Sequence, residues 1–539
     1  MSGWNLADLA VASARANPDA TAQISGDRRY SWSQFDRRTD AVAAALLEIG
    51  LGRQDKVAQY LYNGPEYIES VFAAFKAALV PVNTNYRYQE TELLYLWDNA
   101  DVAAVVFHGE FADRCDPLRD RLPKVRAWLW VDDGSGPCPS WARPYEEIAA
   151  AERALDLPWE RDGDDLLLLY TGGTTGMPKG VMWRQDDLFQ VYNRNRVPEP
   201  YPTDRGVEGI YERKKLDGPG RVSLPACPMM HGTGLLTAIM TITGGGTVVT
   251  LGSRSFRAEE MLDAVAEHRV EGTAIVGDAF ARPLLQALDG NPGRWDISSL
   301  LGMTSSGVMW SEEVKRGLLR HNPAMVLTDS LGSSEAIGMG RSESTGADAE
   351  RTARFTLGDF TTVLDENDRP VEPGSGVAGR IAVRGNLPVG YYKDPEKTAA
   401  TFPVVDGVRY SVAGDWARVE ADGTLTLLGR GSVCINTGGE KVFPEEVEEV
   451  LKQHAAVRDA VCVGVPHERF GEAITALVEP ADGGAVEEAD LITFVKERLA
   501  HYKAPKRILE VASIGRAPSG KVDYKGLRQQ AIERLGIEG

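Results

Sequence analysis

The chain has 539 residues, 43% apolar and 25% charged, an ordinary globular composition without collagenous or disordered bias. Its formal net charge of −19 argues against nucleic acid as the main partner, because a reader of the phosphate backbone neutralises it with Lys and Arg. Five scattered cysteines (Cys115, Cys138, Cys227, Cys434, Cys462) make no CxxC and no His/Cys cluster, so neither a disulfide framework nor a zinc site is indicated.

The first residues, MSGWNLADLAVASARANPD, lack a basic start and an apolar core. They read as an amphipathic helix with Leu6, Leu9 and Ala10 on one side, not as a signal peptide. No apolar run approaches the ~20 residues of a membrane span, so a cytoplasmic protein is expected. Helices are predicted over 39–50 and 65–78, and strands over 80–83 and 103–107. Residues 132–163 are turn-rich, and 195–222 read as a polar surface insertion. Short strands separated by DEND, EPGSG, VDG and ADG fill 357–428. A helix EEVEEVLKQH, strands at 460–465 and 473–478, and helices near 487–500 and 524–535 complete the chain. The pattern predicts an α/β protein: a large N-terminal domain, 1–429, of two α/β lobes and a β-subdomain, then a small α+β domain, 430–539.

The strongest chemical signal is LLLLYTGGTTGMPKGVMW at 166–183. An apolar strand leads into Thr171, Gly172, Gly173, Thr174, Thr175 and Gly176, with Lys179 close behind. Glycines let several backbone N–H groups point at one anion, threonine hydroxyls add donors, and the lysine adds charge; this suits a triphosphate. It is not a Walker A loop, since Lys179 follows Pro178. GRAPSGKV at 515–522 matches G-x-x-x-x-G-K, but Val522 stands where a P-loop needs Ser or Thr for magnesium. In DSLGSSE, Asp329 could accept from an exocyclic amine such as that of adenine, and Glu335 offers magnesium a hard oxygen. YSVAGD places Asp415 where it could hold ribose hydroxyls, with Arg430 fifteen residues on. His231 sits in MMHGTG. No GxSxG elbow and no strand–GxGxxG–helix is present, so neither a serine hydrolase nor a dinucleotide oxidoreductase is supported.

The ordered set YTGGTTGMPKG, MMHGTG, DSLGSSE, YSVAGD, LGRGSVCINTGGEKVFPEEVE and APSGK resembles the adenylate-forming acyl-CoA synthetase superfamily. GVMWRQDD, VGDAFARPL, TDSLGSSE and PVGYYKD are similar to actinobacterial acyl-CoA ligases that activate steroid side-chain carboxylates. The resemblance implies ATP, Mg2+ and coenzyme A, and a C-terminal lid that rotates about a hinge at Ser432. It implies phosphate contacts from 171–179, magnesium at Glu335, adenine at Asp329 near Ser334, and ribose at Asp415 and Arg430. Lys521 is implied to bridge carboxylate and α-phosphate, Gly438 and Gly439 to line the pantetheine tunnel, and His231 to gate the acyl pocket. Thr233, Gly277, Asp278, Ser305, Ser306, Gly307 and Leu331 are expected around that pocket, with small residues such as Gly232 and Gly234 leaving room for a bulky apolar acid. The chain departs from the common pattern at Gly172, Leu331, Ser334, Ser432, Val433 and Ser305–Ser306–Gly307. A medium- or long-chain fatty-acid ligase, or an enzyme loading a separate carrier protein, are the alternatives. Partners are expected to be small molecules, with a homodimer left open.

Overall fold

The computed structural model describes residues 3–171, 178–196, 199–307, 310–346, 354–430, 433, 435–437, 440–467, 471–481, 486–499, 501–517 and 522–537. By packing, the chain forms two compact units, Met1–Thr352 with Gly385–Phe402, and Ala353–Arg384 with Pro403–Gly539. Both mix helices and strands, as the alternation along the sequence implies.

The first unit holds two sheets. One runs in the order Gly390–Tyr391, Lys179–Arg184, Leu166–Thr171, Val80–Asn83, Lys56–Tyr60, Val102–His108, Ala127–Val131, Arg143–Pro144. Its central strands are parallel and almost wholly buried. Val102–His108, VAAVVFH, is buried at all but its last residue. The helix Trp32–Glu48 begins well before position 39, since Ser31 and Gln34 form a capping box that satisfies its first amides. Pro65–Lys76 starts with a proline whose missing N–H costs nothing there, and is buried along its whole length.

The second sheet places Thr21–Ser25, Thr247–Thr250, Val222–Pro225, Gly272–Ile275, Gly302–Ser306 and Val326–Ser333 side by side, all parallel. Their C-terminal ends emerge at one edge, the position where open parallel sheets take ligands. Residues 199–222 lie largely at the surface, as expected of a polar insertion, but not wholly so. They contain a helix, Gly206–Asp217, that buries Ile210 and Lys214. Lys214 Nζ donates to the carbonyl of Thr243 at 2.5 Å, completing the end of another helix, and burial holds its ammonium well below the usual lysine range.

In the second unit, antiparallel strands between 354 and 430 include Ala378–Arg384, Asp415–Val419 and Leu425–Arg430. A second sheet of Ile435–Thr437, Glu440–Val442, Val457–His467, Gly471–Pro480 and Arg507–Glu510 carries the helices Pro444–Leu451, Glu488–Lys496 and Tyr524–Leu535. The rings of Trp416 and Phe443 lie 5.9 Å apart within this unit.

The first unit also buries charge. Arg38 donates to both oxygens of Glu69, at 2.8 and 3.1 Å, and to both oxygens of Glu146, at 2.8 Å each. Glu69 is fully buried, and burial pushes its carboxyl above the ordinary value despite the guanidinium. Arg38→Leu would leave that carboxylate without its counter-charge and is expected to cost about 3–5 kcal/mol. A carboxyl whose pKa is raised on folding contributes stability that is present at low pH and lost as pH rises. The thermal-unfolding deficit of the variant should therefore shrink between pH 8 and pH 5, and a deficit independent of pH would contradict this account of Glu69.

Candidate active site

The strands Leu166–Thr171 and Lys179–Arg184 are antiparallel neighbours, with Tyr170 opposite Gly180 and Thr171 opposite Lys179. The expected phosphate loop thus connects two adjacent strands of one sheet. Gly172, Gly173, Thr174, Thr175 and Gly176 lie outside the described residues. Asn83, at the end of the neighbouring parallel strand, takes the N–H of Tyr170 on Oδ1 at 2.7 Å. Its Nδ2 donates to the carbonyls of Tyr170 at 2.9 Å and Met230 at 2.6 Å. The turn before His231 is held further by Asn63, whose Oδ1 accepts from the N–H of Met229 at 2.7 Å, and by Tyr67, whose hydroxyl donates to the Met229 carbonyl at 3.0 Å. His231 is half-buried and occupies the position just before the helix Gly232–Thr243, which includes Thr233.

Two glycines of this turn behave differently. A Cβ on Gly232 would meet only Ser334 Oγ, at 3.8 Å, so the start of the His231 helix lies beside the DSLGSSE hairpin. A Cβ on Gly234 would stand 2.5 Å from the Pro228 carbonyl oxygen and 2.7 Å from that of Cys227. Gly234 therefore permits a close backbone approach, which corrects the expectation that it makes room for substrate. Gly307, at φ +91°, has open space where a Cβ would point.

At the edge of the second sheet, Ile275, Ser305 and Asp329 stand in register on three adjacent parallel strands. Gly277 donates its N–H to Ser305 Oγ at 2.9 Å. Asp278 is engaged locally: it accepts from the N–H of Ser311 at 2.9 Å and pairs with Arg282 at 3.1 Å. Ser306 and Leu331 are half-buried along the same edge. Asp329 is buried and forms an ion pair with Lys315, from the helix Glu312–His321, itself only 1% exposed. Nothing in the spacing of the sequence marked Lys315.

The strand Val326–Ser333 turns back into Ala336–Ser344, and the turn presents Ser334 and Glu335. Trp183, from the strand Lys179–Arg184, donates its indole N–H to the Ser334 carbonyl at 2.8 Å. Tyr391 donates its hydroxyl to Glu335 Oε1 at 2.7 Å. Lys179 Nζ pairs with Asp394 Oδ2 at 2.7 Å, and this lysine, with the N–H of Lys397, holds the Asp394 carboxyl below its ordinary value. Tyr391 and Asp394 were legible only as part of the PVGYYKD string; an Asp directly before Pro395 is itself a helix-start signal.

The structure thus gathers Thr171, Lys179, His231, Ser305, Asp329, Ser334 and Glu335 within the first unit. In the second unit, Asp415 and Arg430 are directly opposite on paired strands. Ser432, Gly438, Gly439 and Lys521 lie outside the described residues. Among the described residues, no cluster of three or more His, Cys, Asp or Glu forms a closed metal cage. A carboxylate such as Glu335 offers the hard oxygen that suits Mg2+, an ion that needs few protein ligands.

A buried Asp at the C-terminal edge of a parallel sheet, and a hairpin whose Trp183 bonds the turn that carries Glu335, suit a nucleotide-dependent enzyme, and the comparisons define which. Residues 11–392 match the AMP-binding enzyme family and 446–521 its C-terminal domain, and the chain belongs to this family. It is an AMP-forming acyl-CoA synthetase. The chain is 41% identical to the medium/long-chain-fatty-acid–CoA/3-oxocholest-4-en-26-oate–CoA ligase of Mycobacterium marinum, over 98% of this chain and 97% of that one. It is 41% identical to the 3-oxocholest-4-en-26-oate–CoA ligase of Rhodococcus rhodochrous, over 98% and 96%. The fold matches an anthranilate CoA ligase in complex with anthranoyl-AMP, with a TM-score of 0.84 at 19% identity over 100% and 99% of the two chains. No helix among the described residues is long and apolar enough to cross a membrane.

The two glycines give a direct check. Gly234→Ala should lower stability by about 1–3 kcal/mol through overpacking against its own turn. Gly232→Ala should leave the melting temperature at or above that of the parent, since its methyl meets only an ordinary contact. Equal losses in the two variants, measured by thermal unfolding, would contradict the packing described for Gly234.

Proposed function

We propose that the protein activates a sterol side-chain carboxylate as its coenzyme A thioester, using ATP. In the first half-reaction a carboxylate oxygen attacks the α-phosphorus of ATP, forming acyl-AMP and releasing pyrophosphate. In the second, the thiol of coenzyme A loses its proton and its sulfur attacks the acyl carbon, expelling AMP. The observation that carries the reading is the convergence of the His231 turn, the Ser334–Glu335 turn and Lys179 around the phosphate-loop hairpin. Full-length identity to ligases named for 3-oxocholest-4-en-26-oate supports the substrate class.

In this reading residues 171–179 receive the β- and γ-phosphates, and Glu335 holds Mg2+, which supplies positive charge to the phosphate oxygens. Asp329 accepts from the adenine amine, and Asp415 and Arg430 hold the ribose. Lys521 neutralises the charge that develops between carboxylate and α-phosphate; such oriented charge is the largest expected contribution, with positioning second. Residues 430–539 act as the lid that turns at Ser432 to admit pantetheine past Gly438 and Gly439. His231, Thr233, Gly277, Ser305, Ser306, Gly307 and Leu331 border the acyl group, and none of them carries a fixed positive charge, which suits an apolar acid body. The setting is cytoplasmic, where ATP and coenzyme A are supplied.

A second reading, a medium- or long-chain fatty acid as the preferred substrate, is favoured by the paired activities in the name of the Mycobacterium marinum relative. The deciding measurement is kcat/KM for thioester formation across cholestenoate, cholenoate, medium- and long-chain fatty acids, benzoate and acetate. Sterol acids should lead and acetate should be negligible; a clear preference for a linear or small aromatic acid would sink the sterol assignment. Lys521→Ala should cut acyl-AMP formation about a hundredfold or more, roughly 3 kcal/mol, and largely spare thioester formation from supplied acyl-AMP. Near-parental adenylation in that variant would remove Lys521 from its role.

A further inference from the structure

The segment Gly385–Phe402 leaves the chain's second unit and returns to the first, where it edges the phosphate-loop sheet. The N–H of Val389 donates to the Met182 carbonyl and that of Tyr392 to the Gly180 carbonyl, each at 2.8 Å. Tyr391 is 6% exposed, with its ring 6.0 Å from that of Phe402 and its N–H on Thr398 Oγ1 at 2.9 Å. Its backbone and ring are therefore fixed, and the hydroxyl delivers one donor to Glu335 Oε1 at 2.7 Å. Three residues on, Asp394 divides its oxygens. Oδ1 caps the helix Pro395–Thr401 through the N–H of Lys397 at 2.9 Å, and Oδ2 takes Lys179 at 2.7 Å. Lys179 Nζ also lies 5.8 Å from the centre of the Tyr391 ring.

Resting on the assignment of Glu335 to Mg2+ and Lys179 to the phosphates, we infer that Tyr391 and Asp394 are positioning residues for MgATP. Tyr391 fixes the orientation of the Glu335 carboxylate, while Asp394 holds Lys179 aside until a triphosphate competes for it. The two act with opposite sign. A donor on a metal-holding carboxylate strengthens ion binding by fixing its orientation. An ion pair that must be exchanged on binding weakens it, because phosphate oxygens must displace Asp394 from Lys179. A purely structural role for the segment would weaken nucleotide binding in both variants.

The test is calorimetric titration of ATP into the full-length enzyme at a series of Mg2+ concentrations, without acyl substrate. Tyr391→Phe keeps the ring and should raise the Mg2+ concentration for half-maximal tightening about tenfold or more. Asp394→Asn keeps the helix cap and should tighten ATP about two- to fivefold. Glu335→Gln is the reference. If it raises the Mg2+ requirement and Tyr391→Phe does not, the role of Tyr391 is overturned. If neither does, the assignment of Glu335 itself fails and the role of Tyr391 falls with it. Weaker ATP binding in Asp394→Asn overturns the role of Asp394.

Discussion

One buried amide joins the parts of the first unit on which the site depends. Asn83 uses its oxygen on the N–H of Tyr170 and its nitrogen on the carbonyls of Tyr170 and Met230. The strand that leads into the Thr/Gly stretch and the turn that presents His231 are thereby fixed to one side chain that is 2% exposed. Only an amide can both donate twice and accept here; aspartate lacks the donors and leucine lacks both. Removing it would leave three backbone groups to find new partners in a buried place, and each such loss is costly.

Around that point, the edge of the parallel sheet is organised by side chains bonded to backbone. Asn63 and Tyr67 hold the turn at Met229, Ser305 receives the N–H of Gly277, and Trp183 donates to Ser334. Backbone held this way has few alternative arrangements, so ligand binding pays less to order it. The same economy applies to Asp329: with Lys315 beside it, the carboxylate is buried without being stranded as an uncompensated charge.

Local patterns carried much of this. The strand Val80–Asn83 has the bounds its pattern predicts, and LLLLYT and KGVMWR are the two strands that flank the Thr/Gly stretch. The family was legible because the motif residues are chemically specialised types that recur in one order. What could not be read arises from tertiary pairing. Residues 195–222 look polar, yet Lys214 is buried and donates to the carbonyl at a helix end. Gly234 has the composition of a spacious pocket but sits where two carbonyls leave no room. Lys315 became visible only when its helix laid it against Asp329, and Tyr391 and Asp394 only when their segment returned to the hairpin.

That return has a consequence for how the protein is made. Lys179 and Asp394 are 215 residues apart. While a ribosome is still extending the chain, the strand Lys179–Arg184 is the open rim of its sheet, offering unpaired N–H and C=O groups to any neighbouring chain. It is covered only once Gly390–Tyr391 has emerged and docked. The arrival of Tyr391 at Glu335 and of Asp394 at Lys179, and the protection of the nascent chain from edge-to-edge association, are thus the same event, late in synthesis, and long-range strand pairings of this kind are the slow ones to form.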